Sequence, residues 1–241
     1  MSGTLYTVGM GPGDPALVTL KAAEVLRAVP VIAYFAKRGR TGHARGIAEG
    51  MIAPAARELR FEYPFTTEIA HDDPAYRAAI DDFYDRSAAT VAAALDAGSD
   101  VAVLCEGDPF FYGSAMYLFD RLRTAYRHET IPGITGMSAC WTNAGQPIVH
   151  GDDVLTILPG TLSEAELAAR LRQSDAAVIM KVGRNLAKIR AALVTAGLLD
   201  RAIYVERGSM DGEVIIALRD LVAPSVPYFS MILVPGRQEV R

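Results

Sequence analysis

Two segments of the chain combine glycines with a Gly-Asp-Pro turn: Val8-Gly9-Met10-Gly11-Pro12-Gly13-Asp14-Pro15 and Glu106-Gly107-Asp108-Pro109-Phe110-Phe111-Tyr112-Gly113. Such turns offer open backbone amides and carbonyls with one carboxylate nearby, which is chemistry for holding a small molecule rather than for attacking it. The first segment does not fit a dinucleotide. The third glycine of a G-x-G-x-x-G fingerprint is replaced by Asp14, Pro12 has no amide to turn towards a pyrophosphate, and Ala33-Tyr34-Phe35 stands where a ribose-binding acid belongs. A G-x-x-x-x-G-K-[ST] phosphate loop is also missing. A tight turn accounts for either segment alone; two in matching positions favour a ligand site.

Two further clusters carry chemistry. Lys37-Arg38-Gly39-Arg40-Thr41-Gly42-His43-Ala44-Arg45 is a glycine-spaced basic run. It reads either as a solvated surface loop or as a flexible clamp for carboxylates or phosphates, which guanidinium groups bind bidentately. Pro132-Gly133-Ile134-Thr135-Gly136-Met137-Ser138-Ala139-Cys140 is rich in small side chains. It permits close helix packing, and it also leaves room for a flat group such as an adenosine against the backbone, with the Thr135 and Ser138 hydroxyls as partners.

Strands and helices must position these groups. Apolar runs at Leu5 to Val8 and Val101 to Cys105 predict strands ending in the two Gly-Asp-Pro turns, each followed by a helix, the second over Ser114 to Ala125. Val31 to Tyr34 predicts another strand. Asp73 and Pro74 open the clearest helix and Gly98 closes it, with Tyr76, Ile80, Phe83, Tyr84, Val91 and Leu95 on one buried face. The alternation continues with strands at His128 to Ile131, Val154 to Leu158, Ala176 to Lys181, Ala202 to Glu206, Val214 to Leu218 and Phe229 to Val234. Ser163-Glu164-Ala165-Glu166 has capping-box spacing, Asn185 is placed to cap a later helix, and Gly197 to end it. The expected class is α/β: two domains of similar size, 1–128 and 129–241, with mostly parallel or mixed sheets. A cleft between the halves is the expected site.

Composition narrows the function classes. At 241 residues and 51% hydrophobic content, the chain is expected to be globular. A formal net charge of −4 disfavours gripping nucleic acid through its phosphates. No apolar run is long enough to span a bilayer and the N-terminus lacks a signal-peptide pattern, so a cytoplasmic location is expected. Cys105 and Cys140 read as reduced core residues, and His43, His71, His128 and His150 show no metal-ligand spacing, so no metal is expected.

Taken in order, Gly9-x-Gly11-Pro12-Gly13-Asp14-Pro15, Gly107-Asp108-Pro109 with Tyr112-Gly113, Pro132-Gly133-Ile134-Thr135 and Glu206-Arg207-Gly208 resemble the tetrapyrrole methylase family, the class III methyltransferases that use S-adenosylmethionine. Tyr63-Pro64-Phe65-Thr66, Ser114-x-x-Tyr117-Leu118, Gly136-Met137-Ser138-Ala139, Gly145-x-Pro147 and Leu158-Pro159-Gly160-Thr161-Leu162 carry the resemblance further, towards members that methylate the C-20 meso carbon of precorrin-2 in cobalamin biosynthesis. Another ring position, or cobalt-precorrin-2, stays open as the acceptor.

The resemblance implies a homodimer that binds S-adenosylmethionine, releases S-adenosylhomocysteine, and acts on a small-molecule tetrapyrrole without nucleic acid or membrane. It assigns donor contacts to Pro12, Gly107, Asp108, Phe111, Ser114, Thr135, Gly136, Val182 and Asp211. Arg38, Arg40, Tyr112 and Tyr117 are assigned to the acceptor. Family members often carry a glycine in place of Glu106 and a methionine near Val182, so backbone contacts are the expectation at those positions. No catalytic residue is assigned; Glu106, Tyr112 and Tyr117 are the candidates to receive a proton. A nicotinamide oxidoreductase and a non-catalytic tetrapyrrole-binding protein are the competing readings.

Overall fold

The computed structural model describes residues 1–64 and 74–236. His71, the capping residue Asp73, and Phe65 and Thr66 of the Tyr63-Pro64-Phe65-Thr66 motif lie outside the described residues, as does the side chain of Tyr76. The chain divides into two compact units, Met1–Thr135 and Gly136–Arg241.

The first unit runs β1 (Thr4–Gly9), α1 (Leu20–Ala28), β2 (Val31–Ala36), α2 (His43–Ile47), β3 (Arg57–Glu62), α3 (Pro74–Asp96), β4 (Val101–Cys105), α4 (Ala115–Leu122) and β5 (Arg127–Ile131). Its five strands form one sheet in the order β3-β2-β4-β1-β5, and every pairing is parallel. Parallel strands need crossover helices, which cover both faces and leave the central strands apolar throughout. Leu5, Val31, Ala33, Val101, Val103 and Cys105 face a core with Phe83, Val91, Leu95 and Leu118. Val8, Ile32, Ala36, Ala102 and Leu104 point the other way, onto Ala22, Leu26 and Ile47.

Two features of this sheet differ from the sequence expectation. β3 is an edge strand with the sequence Arg-Glu-Leu-Arg-Phe-Glu, whose charge hides it from a hydrophobicity reading but suits an unpaired edge. The division falls after Thr135 rather than 128, because β5 pairs along β1 from Thr4↔Arg127 to Val8↔Ile131.

The second unit runs α5 (Gly136–Asn143), β6 (Leu155–Pro159), α6 (Glu164–Arg172), β7 (Ala176–Met180), α7 (Leu186–Ala196), β8 (Ile203–Glu206), β9 (Val214–Ala217) and β10 (Ser230–Val234). Its sheet has the order β6-β7-β10-β8-β9 and is mixed, parallel only between β6 and β7. Leu167, Leu171, Ile189 and Leu193 pack on one face with Ile179, Tyr204 and Ile232. Cys140 and Ile148 cover the other with Val178, Val205 and Leu233.

The capping box at Ser163 and Glu166 is present, and Gly197 ends α7 at φ +71°. Asn185 stands at the N-cap of α7 without capping it: its side-chain amide donates to the Lys181 carbonyl at 3.0 Å. Among the described residues no helix is long and apolar enough to cross a membrane, and no cluster of His, Cys, Asp and Glu could hold a metal. Both cysteines are buried and unpaired, and burial pushes each thiol up to about 12.

Candidate active site

The strand order makes β1 and β4 neighbours, in register to the pair Gly9↔Cys105, so the two Gly-Asp-Pro turns emerge side by side from one sheet edge. The chain leaves β1 towards β2 and leaves β4 towards β5, on opposite sides, which is the switch-point geometry at which open α/β sheets bind ligands. The turns also bond to each other. The Met10 amide donates to Cys105 O at 2.8 Å, the Gly107 amide to Gly11 O at 2.8 Å, and the Gly11 amide to Gly107 O at 3.3 Å. Gly11 and Gly107 hold φ of +74° and +63°, a region glycine enters without steric cost.

The Pro132-Gly133 turn closes on this pair from β5. A Cβ on Gly133 would lie 2.1 Å from Gly107 O, and one on Gly9 would lie 2.5 Å from the Gly133 nitrogen. Three turns from three strands are thus packed main chain against main chain. Asp108 fastens them: one carboxylate oxygen accepts the Phe110 amide at 2.9 Å and the other the Gly133 amide at 3.1 Å. Asp14 has a local task, accepting the Ala16 amide at 2.8 Å to cap the 3-10 turn Pro15–Leu17.

Beyond the turns lies an aromatic series. Tyr117 stacks on Tyr84 with centroids 4.5 Å apart, Tyr84 meets Phe83, Phe83 meets Tyr63 at 5.2 Å, and Tyr63 stacks on Phe35. The Tyr63 hydroxyl donates to the Ser114 hydroxyl at 2.6 Å, joining the end of β3 to the start of α4. Tyr117, Tyr112 and Phe110 are exposed, and Phe111 lies edge-on to Tyr112. Tyr112 has φ +56°, a left-handed conformation rare for a bulky residue.

The basic run follows β2 at the same edge and is pinned rather than flexible. Arg60 donates to Arg40 O at 2.8 Å, Glu62 accepts the Gly39 amide at 3.3 Å, and Arg45 pairs with Glu58 at 2.9 Å. Glu58 is held below the usual carboxylate range chiefly by that Arg45 hydrogen bond. Among the described residues no ion pair engages Lys37, Arg38 or Arg40, and all three are exposed. Glu106 lies between strand β4 and Gly107. Burial pushes its carboxyl up to about 7, against the smaller opposing effect of the nearby Ala44 amide.

In the second unit the assigned residues lie near the ends of strands. Val182 follows β7 with its side chain fully buried in the core, which leaves only its main chain for a ligand. Gly136 opens α5, and a Cβ there would meet the Met231 methyl at 3.1 Å. Asp211 is exposed in the β8–β9 loop. That loop holds Arg207 at φ +52° and Ser209 at φ +64°. Glu213 accepts the Ser209 amide at 2.8 Å and the Asn143 side-chain amide at 2.7 Å, tying the loop to α5.

Asn143, Glu213, Gly9 and Gly133 are thus structural members of these loops that carried no assignment in the sequence. The two glycines were visible in the motifs, whereas nothing local marks Asn143 and Glu213 as partners.

The family model of the tetrapyrrole (corrin/porphyrin) methylases matches residues 4–221. The chain is 56% identical over 234 residues to a precorrin-2 C(20)-methyltransferase from a Sinorhizobium species, covering 97% of this chain and 96% of that protein. It is 30% identical over 244 residues to the cobalt-precorrin-2 C(20)-methyltransferase of Salmonella typhimurium, covering 99% of each. Among solved structures, the uroporphyrin-III C-methyltransferase of Thermus thermophilus complexed with S-adenosyl homocysteine shares the fold at a TM-score of 0.64, with 24% identity over 97% of this chain and 92% of that one. A family match across both α/β units, together with near full-length identity to a member, establishes that the chain belongs to the tetrapyrrole methylase family.

Proposed function

We propose that this protein transfers a methyl group from S-adenosylmethionine to the C-20 meso carbon of precorrin-2, giving precorrin-3A in cobalamin biosynthesis. The near full-length likeness to the Sinorhizobium enzyme carries the reading. The chemistry of the strand ends fits the donor. A sulfonium joined to an adenosine and an amino acid wants main-chain hydrogen bonds and a close backbone surface, and the Gly9, Gly107 and Gly133 turns offer that without a cationic side chain among them. When bound, the donor supplies an electrophilic methyl group to an acceptor carbon aligned with it.

The chain's own task is then placement. Holding the acceptor carbon about 3 to 3.5 Å from the methyl group, in line, supplies most of the acceleration, so no protein nucleophile is needed. In this reading Pro12, Gly107, Asp108, Phe111, Ser114, Thr135, Gly136, Val182 and Asp211 are the residues assigned to the donor. Asp108 and Val182 serve it through the main chain, because the carboxylate of one already holds two amides and the side chain of the other is in the core. Tyr112 and Tyr117 offer faces to the reduced macrocycle, and Arg38 and Arg40, which no ion pair engages among the described residues, receive its carboxylates. The reading includes a homodimeric, cytoplasmic enzyme; sedimentation and cell fractionation test those two points.

The decisive experiment supplies purified protein with S-adenosylmethionine and either precorrin-2 or its cobalt complex, followed by mass spectrometry and NMR. One added methyl at C-20, formed more efficiently on the metal-free ring, is the expected result; no added methyl on either ring overturns the reading. Replacing both Arg38 and Arg40 with Ala should raise KM for precorrin-2 roughly tenfold with donor affinity unchanged. Weakened donor binding would instead move that segment to the other ligand.

A further inference from the structure

Tyr63 and Ser114 lie 51 residues apart in the chain, and the fold joins them twice. Tyr63 stands one residue beyond β3, and its amide donates to Ala36 O at 3.0 Å, which fixes its main chain to the end of β2. Its hydroxyl donates to the Ser114 hydroxyl at 2.6 Å. Ser114 is the N-cap residue of α4 yet makes no side-chain capping bond there; a residue type suited to capping is joined to the end of another strand instead. The second join runs through rings. Tyr63 meets Phe83 at 5.2 Å, Phe83 meets Tyr84 at 5.3 Å, and Tyr84 stacks on Tyr117 at 4.5 Å. The Tyr117 amide donates to Ser114 O at 3.2 Å, so the series returns to Tyr63 and forms a closed circuit. Its middle members, Phe83 and Tyr84, are buried, whereas Tyr117 is 48% exposed.

The same joint bears on Tyr112, two residues before Ser114. Its left-handed φ of +56° persists in a bulky residue only where the surroundings over-determine it. Restraints lie on both sides. Before it, the Phe111 amide donates to Asp108 O at 3.2 Å; after it come Gly113, where a Cβ would collide with the Cys105 sulfur, and Ser114, bonded to Tyr63. We infer that Tyr63 is a positioning residue for the acceptor: its hydroxyl on Ser114 and its ring on Phe83 fix the exposed faces of Tyr112 and Tyr117 on which the macrocycle lies. The inference deepens the proposed function and rests on it. Attraction across a ring face is shared among many atom pairs and fades within an ångström of extra separation, so the angle at which each face is held sets how well a flat ligand binds. The turns that serve the donor stand outside this circuit, since Gly11 and Gly107 are bonded to each other and Gly133 to Asp108.

The test compares wild type, Tyr63→Phe, Ser114→Ala and the double variant, measuring kcat and KM for precorrin-2 at saturating S-adenosylmethionine, and donor affinity of Tyr63→Phe by calorimetry. Tyr63→Phe keeps the ring and loses only the hydroxyl, so the loss of one hydrogen bond predicts a KM about fivefold higher, with kcat and donor affinity close to wild type. Ser114→Ala removes the same bond from its other end and should raise KM by a similar factor, and the double variant should be no worse than either single one. Tyr63→Leu, which gives up the ring contact too, should raise KM roughly fivefold further. A lowered melting temperature with KM unchanged in Tyr63→Phe makes the residue structural only and overturns the inference. So do single effects that multiply in the double variant, or a fall in kcat at unchanged KM. Should Tyr63→Phe fail to fold, the KM of Ser114→Ala decides: a rise supports the inference and wild-type behaviour overturns it. Failure of the wild type to methylate precorrin-2 removes the substrate reading and this inference together, whereas the other failures remove this inference alone.

Discussion

The two units solve the same problem, fixing loops at strand ends, by different means. In the first, an all-parallel sheet delivers three turns to one edge, where main chain meets main chain too closely for any Cβ at Gly9 or Gly133. In the second, the sheet is mixed, and the loops after β7 and β8 are held in left-handed turns at Lys181, Arg207 and Ser209 by side-chain struts from Asn185, Glu213 and Asn143. Close backbone approach recurs there at the parallel pair β6–β7, where a Cβ on Gly160 would lie 3.0 Å from Met180 O, whereas Gly208 faces the Cys140 side chain, which can yield. Parallel pairing brings like ends together and makes backbone packing available; antiparallel pairing separates them, and side chains must reach.

Substitutions should separate these two constructions. The largest effect is expected for Gly133→Ala, whose Cβ would collide with Gly107 O. It should cost about 3 kcal/mol of stability and lower donor affinity by two orders of magnitude or so, read by thermal melting and calorimetry. Gly208→Ala should cost about 1 kcal/mol by the same measurements. Equal effects at the two positions would erase the contrast.

A pH series probes the first unit alone. Folding raises the Glu106 carboxyl from 4.5 to about 7, so the folded protein holds this proton longer than the unfolded chain does. Its stabilising contribution is complete below the unfolded value and lost as pH rises through about 7. At pH values above neutrality Glu106→Gln should therefore melt higher than wild type by the equivalent of up to ~3 kcal/mol, with the difference vanishing in acid. A pH-independent difference would refute the burial argument.

Asp108→Asn tests the fastening of the three turns. Asparagine can accept one of the two amides but presents an NH2 group to the other, so a loss of about 2 kcal/mol and weaker donor binding are expected. The smallest effect belongs to the second unit: Glu213→Ala removes an exposed strut and should cost about 1 kcal/mol. Hydrogen exchange at the Ser209 amide should rise in that variant while exchange at Gly107 stays unchanged, and coupled changes at both would show that the loops are not independent.

Several elements were legible from local chemistry. β4 matches Val101 to Cys105 because a run of apolar residues fits a strand buried on both faces. α3 ends where Gly98 adopts φ +84°, and α6 starts at its capping box, because both signals act within one turn of helix. β3 escaped notice because its charges obey an edge position that only pairing creates. The basic run reads as a flexible loop because its restraints, Glu58, Arg60 and Glu62, come from that same unseen strand.

Residue types and their order were enough to mark two Gly-Asp-Pro turns, a small-residue segment and a family likeness, because those properties are carried within a few consecutive positions. The fold alone decided that β1 lies between β4 and β5 and that Asp108 spends its carboxylate on a neighbouring turn. Each depends on strand order, and strand order follows from how helices cover the two faces of a sheet, a property of the whole unit rather than of any stretch of chain.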